Sequence, residues 1–555
     1  MTARLLFVEK KLENFGVVAM ARNRATWITI GIAGLLLGMV WMAAALWFGE
    51  LNQDEGWYLY AARLVAEGKR PYVDFAGTQG PVLAYLYALA DGWVQRYGVA
   101  AGRFFTAFLG LLATLSVAGM AARHAPVGRR RFAALLTFAL ILFTVYQAYF
   151  FTIVKTYSLA ALLTGLGYLS LSAAWHATSR LSWPAGLAGV LLALAVGTRF
   201  SAGVLLPVTV FGLAWQGWRF ADQRGLYTRR IVWLVAGAGV TLAVVFLPFA
   251  VAAPRALWFA LVEYHAGRQA GSMFALLAYK AGFLIRMVGA YPVAVLMGIW
   301  LVTQKLFFRQ EVAVNGDGFS RDDGWVGLLL WSVGMVTLVH LTAPFPYDDY
   351  QVFIYPLGAA ALSLMIVRRA VDEGPLRRLS ACVVLGCCML SVASPVVQGW
   401  FMGERDRIWW PLRHEPPLGN LQRTAAVIRA LPGARPGDLL LTQDSYLAVE
   451  TGMRLPQGLE LGPFSYFPEW SDERAAACRV LSRAQMCALL ENCPARIAAF
   501  SGYGLIIRAP EIKPLKEAEQ AALWEVVSRR YALKAEIAGF GQAGTLLKIW
   551  ERKAQ

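Results

Sequence analysis

The sequence predicts a polytopic α-helical membrane protein with a C-terminal soluble α/β domain. Of its 555 residues, 58% are hydrophobic and 16% are charged, whereas soluble proteins carry about 25% charged residues. The apolar residues form long uncharged runs as far as about residue 402, and polar and apolar residues are mixed after it. We therefore expect a transmembrane domain over residues 1–402 and an α/β domain over residues 403–555.

About eleven runs are long enough to cross a bilayer, which takes roughly 18 or more residues in a helix. The first run follows a polar start of residues 1–25 and has no cleavage site behind it, so it is not a signal peptide. The predicted spans are approximately 26–48, 104–122, 132–151, 155–175, 183–198, 200–217, 231–252, 281–303, 325–343, 351–367 and 379–400.

The net charge of +17 comes from 52 basic and 35 acidic residues. Clustered on one soluble domain, it would suggest nucleic-acid binding, but the basic residues are scattered between apolar runs, so we expect no nucleic-acid partner. When the spans are threaded alternately, the basic loops around Arg129, Arg224 and Arg368 fall on one side. Cytoplasmic loops carry such an excess, which predicts a cytoplasmic N-terminus and an extracytoplasmic C-terminal domain.

Two adjacent carboxylates, Asp54 and Glu55, follow the first span directly and stand before a run of aromatic residues. Carboxylates just outside a membrane can deprotonate a hydroxyl group or hold a divalent cation. Asp54 is equally well suited to be the N-cap of a helix that ends at Gly68. The two interpretations are compatible, because a helix N-terminus favours an ionised carboxylate.

The side opposite the basic loops carries two segments, residues 49–103 and 253–280, whose composition is unlike that of simple linkers. The glycines and prolines between Gly68 and Pro81 favour an ordered irregular loop. Such a loop at the membrane surface is either a lid over a site, which we favour, or an interfacial connector.

Cations are less expected on this face, so those present need a reason. Lys155 begins the fourth span, Arg199 stands in the fifth hairpin, and His265 and Arg268 are three residues apart on one helical face. Together they predict a pocket for a phosphate or pyrophosphate group. The alternative for each cation is that it extends towards lipid headgroups.

A further acidic pair, Asp348 and Asp349, stands between the ninth and tenth spans. These residues could add a metal ligand or a sugar contact, although such a pair more often caps the next helix.

The C-terminal domain shows alternating strand and helix patterns. We predict strands at 438–442 and Arg496–Phe500, strand-like residues at Gly504–Arg508, a helix closed by Gly452, a helix near Lys513–Arg530, and a hairpin from Ala532 to Arg552. The GxGxxG string at Gly539–Gly544 is interpreted as a hairpin turn, because no helix can follow it. Cys487 and Cys493 are either a disulfide pair or ordinary buried thiols.

Taken in order, these motifs resemble those of the integral-membrane GT-C glycosyltransferases, specifically the bacterial family 39 and ArnT-like branch, over most of residues 25–400. The matching motifs are Asp54-Glu55 followed by aromatic residues, Pro71-Tyr72-Val73-Asp74, Gln79-Gly80-Pro81, Val154-Lys155-Thr156-Tyr157, Gly197-Thr198-Arg199 and Tyr264-His265-Ala266-Gly267-Arg268. The C-terminal part resembles the periplasmic α/β domains of some members.

The resemblance implies a hexosyl- or pentosyltransferase that moves a sugar from a polyprenyl-phosphate donor to a lipid, glycan or protein acceptor on the extracytoplasmic face of the bacterial inner membrane, with inversion. Asp54 then becomes the general base, and Glu55 positions it. If a divalent metal ion takes part, Asp54 and Glu55 are its candidate ligands. The implied donor-phosphate residues are Lys155, Arg199, His265 and Arg268, and the candidate substrate contacts are Tyr58, Asp74, Gln79, Tyr264 and Asp348.

Two other functions fit the composition. A transporter or flippase for a polyprenyl-linked glycan would have charged residues within several spans and repetition between its halves, but most of these spans are uncharged. A non-catalytic envelope-glycan assembly protein would act through its C-terminal domain.

Overall fold

The computed structural model describes residues 26, 28–175, 182–266, 272–307, 321–369, 373–399, 415–502, 505, 515–542 and 544–553. The α-helices before residue 400 are α1 (Ile28–Phe48), α2 (Gln53–Ala66), α3 (Val82–Ala88), α4 (Asp91–Tyr97), α5 (Val99–His124), α6 (Arg130–Leu142), α7 (Val145–Phe150), α8 (Thr156–Trp175), α9 (Trp183–Thr198), α10 (Leu205–Arg219), α11 (Arg224–Ala252), α12 (Pro254–Trp258), α13 (Tyr264–Ala266), α14 (Met273–Ala290), α15 (Pro292–Phe307), α16 (Arg321–Thr342), α17 (Tyr355–Arg369), α18 (Glu373–Ala393) and α19 (Pro395–Val397).

The C-terminal part contains five helices and four strands in its described residues. In chain order they are α20 (Pro417–Arg429), β1 (Leu440–Thr442), α21 (Ser445–Thr451), α22 (Asp472–Ala477), α23 (Arg483–Asn492), β2 (Ile497–Phe500), α24 (Glu517–Arg530), β3 (Tyr531–Phe540) and β4 (Thr545–Arg552). Short 3-10 helices occur at Val127–Arg129, Phe200–Val204, Ala221–Gln223, Asp348–Gln351 and Gly462–Ser465, and Phe259–Glu263 is a π-helix.

Seven helical segments of the described chain are long and apolar enough to cross a membrane, and three shorter helices are also apolar. The seven are Ile28–Phe48, Val99–His124, Thr156–Trp175, Phe200–Arg219, Ala221–Ala252, Met273–Ala290 and Asp322–Thr342; the shorter ones are Trp183–Thr198, Pro292–Thr303 and Arg378–Ala393. These helices confirm the prediction of a polytopic helical membrane protein.

Three of the predicted spans are divided in the structure. Residues 132–151 form α6 and α7, residues 281–303 fall on α14 and α15, and residues 379–400 contain α18 and α19. Pro292 and Pro395 each begin the second helix of their pair. Proline lacks the N–H group that would continue the preceding helix, but it is well accommodated in a first turn.

Two of the basic loops that were threaded to one side, those around Arg129 and Arg368, meet at one end of the helix bundle. Arg129 donates a hydrogen bond to the carbonyl of Val367 at 2.9 Å. Arg368 donates to the carbonyl of His124 at 3.2 Å and lies 3.4 Å from the Asp323 carboxylate. The ends of α5 and α17 and the starts of α6 and α16 therefore lie together, as the threading requires.

Helix α2 begins two residues earlier than it would if Asp54 were its N-cap. Its N-cap is Asn52, whose side chain accepts the N–H of Asp54 at 3.1 Å, while Glu55 accepts the N–H of Asn52 at 3.0 Å. Since this reciprocal capping box fixes the start of the helix, the prediction that Asp54 is the N-cap was wrong. The Asp54 side chain is consequently not used as a cap.

The C-terminal sheet has the strand order β1-β2-β4-β3, with β1 and β2 parallel and the other neighbours antiparallel. The predicted strands, the helix closed by Gly452, the later helix and the hairpin are all present. Gly539 near the end of β3 and Gly541 and Gly544 in the β3–β4 turn have positive φ angles, and β3 pairs antiparallel with β4, which confirms the hairpin interpretation of the GxGxxG string. Of the strand-like residues Gly504–Arg508, only Leu505 lies within the described residues.

Cys487 and Cys493 are free thiols, as are the other four cysteines. Cys487 lies within α23 and Cys493 follows its last residue. Six residues of helix separate two Cα atoms by about 9 Å along the axis, which exceeds the roughly 7 Å that a disulfide can bridge. The disulfide alternative is therefore wrong, and the alternative of ordinary thiols holds.

The sheet domain packs directly on α2. The backbone N–H of Leu455 donates to the Tyr60 hydroxyl at 2.8 Å, and Arg63 donates to the carbonyls of Gly452 and Met453. Gly56 lies so close to the backbone of α21 that a side chain there would overlap it. The helix that carries Asp54 is thus held between the membrane bundle and the sheet domain.

Candidate active site

A cluster of charged and aromatic side chains lies at the end of the bundle opposite the basic loops. It is formed by the first turn of α2, the residue before α8, the junction between α9 and the following 3-10 helix, and the 3-10 helix between α16 and α17. The first of these elements contributes Asp54, the second Lys155 and the third Arg199. The fourth contributes both Asp348 and Asp349.

Lys155 lies between two carboxylates. Its Nζ is 3.0 Å from Asp54 Oδ2 and 2.9 Å from Asp349 Oδ2. The Asp349 side chain is 5% exposed and that of Lys155 is 11% exposed, whereas Asp54 keeps 21% of its side-chain surface. Within the described residues, the second oxygen of Asp349 has no hydrogen-bond partner. Of the two carboxylates that flank Lys155, Asp54 is thus the one that a bound molecule can reach more easily.

Burial raises the pKa of the Asp54 carboxyl above its ordinary value, and the ammonium group of Lys155 lowers it. Asp349 and Glu55 add smaller raising effects. The opposing contributions matter because a base must be ionised to accept a proton. Lys155 therefore opposes the effect of burial and favours the ionised form of Asp54.

Asp348 and Asp349 do not cap the 3-10 helix in which they lie. Its N-cap is Tyr347, without a side-chain cap bond. Asp348 instead accepts the hydroxyl of Tyr146 at 2.8 Å and lies 3.5 Å from Nε of Arg286, while Asp349 binds Lys155. The capping alternative for this pair was wrong, because both carboxylates are directed into the cluster. Burial raises the pKa of Asp348, and the neighbouring Asp349 raises it further.

The Arg199 guanidinium is held among aromatic rings. Its central carbon lies 4.7 Å from the ring centres of both Tyr157 and Tyr350 and 5.7 Å from that of Phe353. One NH group donates to the Thr156 hydroxyl at 3.2 Å, and Nε has no partner among the described residues. A planar guanidinium held by ring faces keeps N–H donors for an anion such as phosphate.

The Tyr58 hydroxyl lies close enough to Asp54, Lys155 and Arg199 for all three to act on its pKa. Burial raises the pKa of its hydroxyl, Asp54 raises it further, and Lys155 and Arg199 oppose the rise. All three charged groups therefore act on one half-buried phenol, which lies one helical turn after Asp54. Its role as a substrate contact stays a prediction.

Glu55 lies apart from the cluster, although it is next to Asp54 in sequence. Its two oxygens are 2.6 and 2.8 Å from nitrogens of Arg103, and both side chains are fully buried. The same carboxylate also accepts the N–H groups of Asn52 and Val154. Glu55 is thus occupied by structural contacts and has no free oxygen for a metal ion.

A divalent ion fits these residues poorly. Its predicted ligands were Asp54 and Glu55, but one is paired with Lys155 and the other with Arg103. In the part of the chain that the structure describes, no group of three or more His, Cys, Asp or Glu side chains is arranged to hold an ion. We therefore assign no chemical step to a metal.

The other predicted residues join the two loops around the site. His265 Nε2 lies 2.9 Å from the carbonyl oxygen of Thr78 and 3.5 Å from the Gln79 amide nitrogen, so the 253–266 segment binds the glycine-rich loop. The buried Tyr72 also donates to the carbonyl of Gln79. These contacts order the loop over residues 68–81, as expected of a lid or a fixed connector. Arg268 lies outside the described residues.

Two further predicted substrate contacts, Asp74 and Tyr264, have partners within the chain, and their contact with a substrate stays a prediction. Asp74 accepts the N–H of Arg70 at 2.7 Å in an exposed turn, and Tyr264 packs edge-to-face on Phe259 and Phe464. Three contacts were not predicted from the sequence: the pairing of Asp349 with Lys155, the rings around Arg199, and the pairing of Arg103 with Glu55. The sequence did indicate Asp349, because it belongs to the adjacent acidic pair Asp348-Asp349. Helix capping was the favoured interpretation of that pair.

No protein-family model and no curated protein sequence matches the chain. Among solved structures it is similar to ArnT from Cupriavidus metallidurans bound to undecaprenyl phosphate, with 16% sequence identity and a TM-score of 0.55, over 94% of this chain and 98% of that chain. The apo state of the same protein gives a TM-score of 0.55 and 16% identity, over 95% of this chain and 98% of that one.

The chain has the GT-C glycosyltransferase fold. Because the alignment covers 94% of the chain, the GT-C likeness includes most of the C-terminal sheet domain as well as the helices. A weaker likeness, with a TM-score of 0.46 and 11% identity, relates 94% of the chain to 74% of an Archaeoglobus fulgidus oligosaccharyltransferase tethered with an acceptor peptide.

Proposed function

We propose that this protein transfers a sugar from a polyprenyl-phosphate donor to a cell-envelope acceptor, with inversion at the anomeric carbon. The observation that carries the proposal is the placement of Lys155 between Asp54 and Asp349, with Arg199 nearby, at one end of a membrane bundle. An acid and two cations at the membrane surface suit a reaction that removes a phosphate-bearing lipid from a sugar. The GT-C fold and the likeness to ArnT bound to undecaprenyl phosphate support this choice.

Asp54 is the proposed general base. In the reaction an acceptor hydroxyl oxygen attacks the anomeric carbon, the bond from that carbon to the phosphate oxygen breaks, and the hydroxyl proton passes to Asp54. The polyprenyl phosphate leaves with the electron pair of the broken bond. Asp54 suits this role better than Asp349, because it is the more exposed of the two carboxylates that flank Lys155.

Lys155 and Arg199 are the proposed phosphate ligands. The leaving phosphate gains negative charge as the sugar departs, so cations fixed before the reaction stabilise the transition state. Arg199 has a buried Nε without a partner in the described chain and a guanidinium plane fixed by two tyrosine rings. His265 and Arg268 were expected to assist. Of these two, His265 lies against the glycine-rich loop, where it can hold that loop in place.

The proposed location is the bacterial inner membrane, with the active site and the sheet domain on the extracytoplasmic face. The concentration of basic loops at the opposite end of the bundle supports this orientation. A lipid-linked donor suits a compartment without nucleotide sugars, because the polyprenyl chain keeps the activated sugar at the membrane. The acceptor is a lipid, glycan or protein hydroxyl group.

The proposal is tested by sugar transfer in membranes. Mass spectrometry of the polyprenyl lipid that copurifies with the protein identifies the head group, and the corresponding radiolabelled polyprenyl-phosphate sugar is then supplied. We expect transfer by the wild type and at least a hundredfold loss in Asp54→Asn, in line with the loss of a general base. Asp323→Asn, at the opposite end of the bundle, is the matched control and should keep full activity.

Absence of transfer from polyprenyl-phosphate sugars would overturn the proposed function. Full activity of Asp54→Asn would instead overturn the assignment of the base and leave the reaction class standing.

A further inference from the structure

The first turn of α2 takes one of its hydrogen bonds from the distant C-terminal domain. The first N–H groups of a helix have no partner within the helix. Asn52 accepts the N–H of Asp54, but the N–H of Gln53 donates to the side-chain oxygen of Gln542 at 3.1 Å. Gln542 is separated from Gln53 by 489 positions in sequence and lies in the turn between β3 and β4.

This turn is fixed by the domain that carries it. Gly541 has a φ of 73° and lies against the Tyr446 hydroxyl, with no room for a Cβ atom. The ring of Tyr446 packs on Phe540 at 5.8 Å, and the N–H of Gly502 donates to the Thr545 hydroxyl at 2.9 Å. The backbone that carries Gln542 is therefore held in place by contacts within the sheet domain.

The same part of the domain contacts α2 on a second side. Gly56, two residues after Asp54, packs on the backbone of Tyr446 and on Ser445. Asp444 accepts the Tyr446 hydroxyl at 3.2 Å and two hydrogen bonds from Ser501 at 2.9 and 3.1 Å. The start of α21 and the hairpin turn thus enclose the turn of α2 that carries Asp54.

We propose that Gln542 is a positioning residue for Asp54, and that the C-terminal domain serves the reaction by fixing the first turn of α2. This inference rests on the proposed function. Gln542 satisfies the N–H group of the residue next to Asp54, so it acts on the helix backbone and does not contact the substrate. Because a catalytic base must be held to well within 1 Å of its productive position, a frayed first turn lowers the rate even when the fold is intact.

The test compares two contacts that join the same domain to the two ends of α2. Gln542→Leu removes the acceptor at the end with Asp54 and keeps the side-chain size. The control, Arg454→Ala, removes the 3.0 Å ion pair to Glu67 just beyond the other end. We expect Gln542→Leu to lower kcat about tenfold with little change in the donor KM, and Arg454→Ala to leave both values unchanged.

Conservative replacement separates positioning from simple stability. Gln542→Glu keeps an oxygen acceptor of the same length and should recover most of kcat, whereas Gln542→Asn is one carbon shorter and should behave like Gln542→Leu. The melting temperatures of all four variants should stay close to that of the wild type. Equal kcat in Gln542→Leu and the wild type would overturn the inference, as would equal losses in Gln542→Leu and Gln542→Glu.

Hydrogen–deuterium exchange provides a readout that does not need activity. Peptides that cover residues 50–60 should exchange faster in Gln542→Leu than in the wild type or in Arg454→Ala. Unchanged exchange would overturn the inference even if transfer is observed. If the wild type transfers no sugar, the proposed function fails, and faster exchange would still establish the hold of Gln542 on α2.

Discussion

The Nζ atom of Lys155 lies 3.0 Å from a carboxylate oxygen of Asp54. The two groups come from different parts of the chain, one from a helix outside the first predicted span and the other from the start of α8. Their contact places a cation directly at the proposed base. In the proposed reaction Lys155 therefore has two tasks: it favours the ionised form of Asp54, and it binds the donor phosphate.

Replacing Lys155 should change the pH dependence of transfer. Lys155 lowers the pKa of the Asp54 carboxyl, whereas burial, Asp349 and Glu55 raise it. In Lys155→Met only the raising effects remain, so the pKa of Asp54 rises. In the proposed reaction, transfer needs ionised Asp54 and is lost as the pH falls through that pKa. We therefore expect the acid limb of kcat/KM to move to higher pH by about one unit or more.

The control for this prediction is Lys155→Arg, which keeps the positive charge. Its rate will fall, because the guanidinium is larger, but the acid limb should stay near that of the wild type. An unchanged acid limb in Lys155→Met would contradict the electrostatic role of Lys155.

The aromatic surroundings of Arg199 predict that lysine cannot replace it. A guanidinium stacks on ring faces and binds phosphate through two parallel N–H groups, whereas an ammonium is a point charge on a flexible stem. We expect Arg199→Lys to raise the KM for the polyprenyl-phosphate donor about tenfold and to leave the melting temperature close to that of the wild type. Arg219→Lys, at the opposite end of α10, is the control. A normal donor KM in Arg199→Lys would contradict this role.

The buried pair of Glu55 and Arg103 predicts a loss of stability. Both side chains are 0% exposed, and removing one partner of such a pair costs about 3–5 kcal/mol. We expect Glu55→Gln to lower the free energy of unfolding by that order and to reduce the yield of folded protein in detergent. Glu67→Gln, which breaks partly exposed ion pairs of the same helix, should cost at most about 1 kcal/mol.

Activity distinguishes the two carboxylates of the Asp-Glu string. Asp54→Asn should lose transfer with its melting temperature retained, while Glu55→Gln should lose both together. A fully stable but inactive Glu55→Gln variant would give Glu55 a chemical role after all.

The sequence revealed local features and the approximate place of the site. Hydropathy located the helices, strand patterns located the sheet, and the residue types of Asp54, Lys155 and Arg199 indicated an acid facing cations. These signals are local, because they depend on side-chain chemistry and on the period of one helix or strand.

The partners of those residues could not be predicted, because they are set by packing over long separations in sequence. Asp349 stands 194 positions from Lys155, and Arg103 stands 48 positions from Glu55. The start of α2 shows that even a local choice can depend on distant residues. Asn52 and Asp54 are both good N-caps. The helix begins after Asn52 because Glu55 accepts the N–H of Asn52 and is itself held by Arg103.

The close approach of α2 and α21 at Gly56 predicts the last variant. A Cβ atom at Gly56 would overlap the backbone nitrogen of Tyr446 and the Ser445 hydroxyl. A backbone atom cannot rotate away as a side chain can, so Gly56→Ala must move α2 away from the sheet domain. We expect a loss of about 1–3 kcal/mol in the free energy of unfolding and a fall in kcat, because Asp54 lies two residues away.

Gly92→Ala is the matched control for this change. Gly92 is also a helical glycine, in α4, but a Cβ atom there meets nothing within 4 Å. Alanine in such a position should stabilise the helix by about 0.5–1 kcal/mol. Thermal unfolding and transfer rates of the two variants separate the helix propensity of alanine, which both share, from the contact with α21, which only Gly56 makes. If Gly56→Ala matched Gly92→Ala in stability and rate, the hold of the sheet domain on the first turn of α2 would have no energetic consequence.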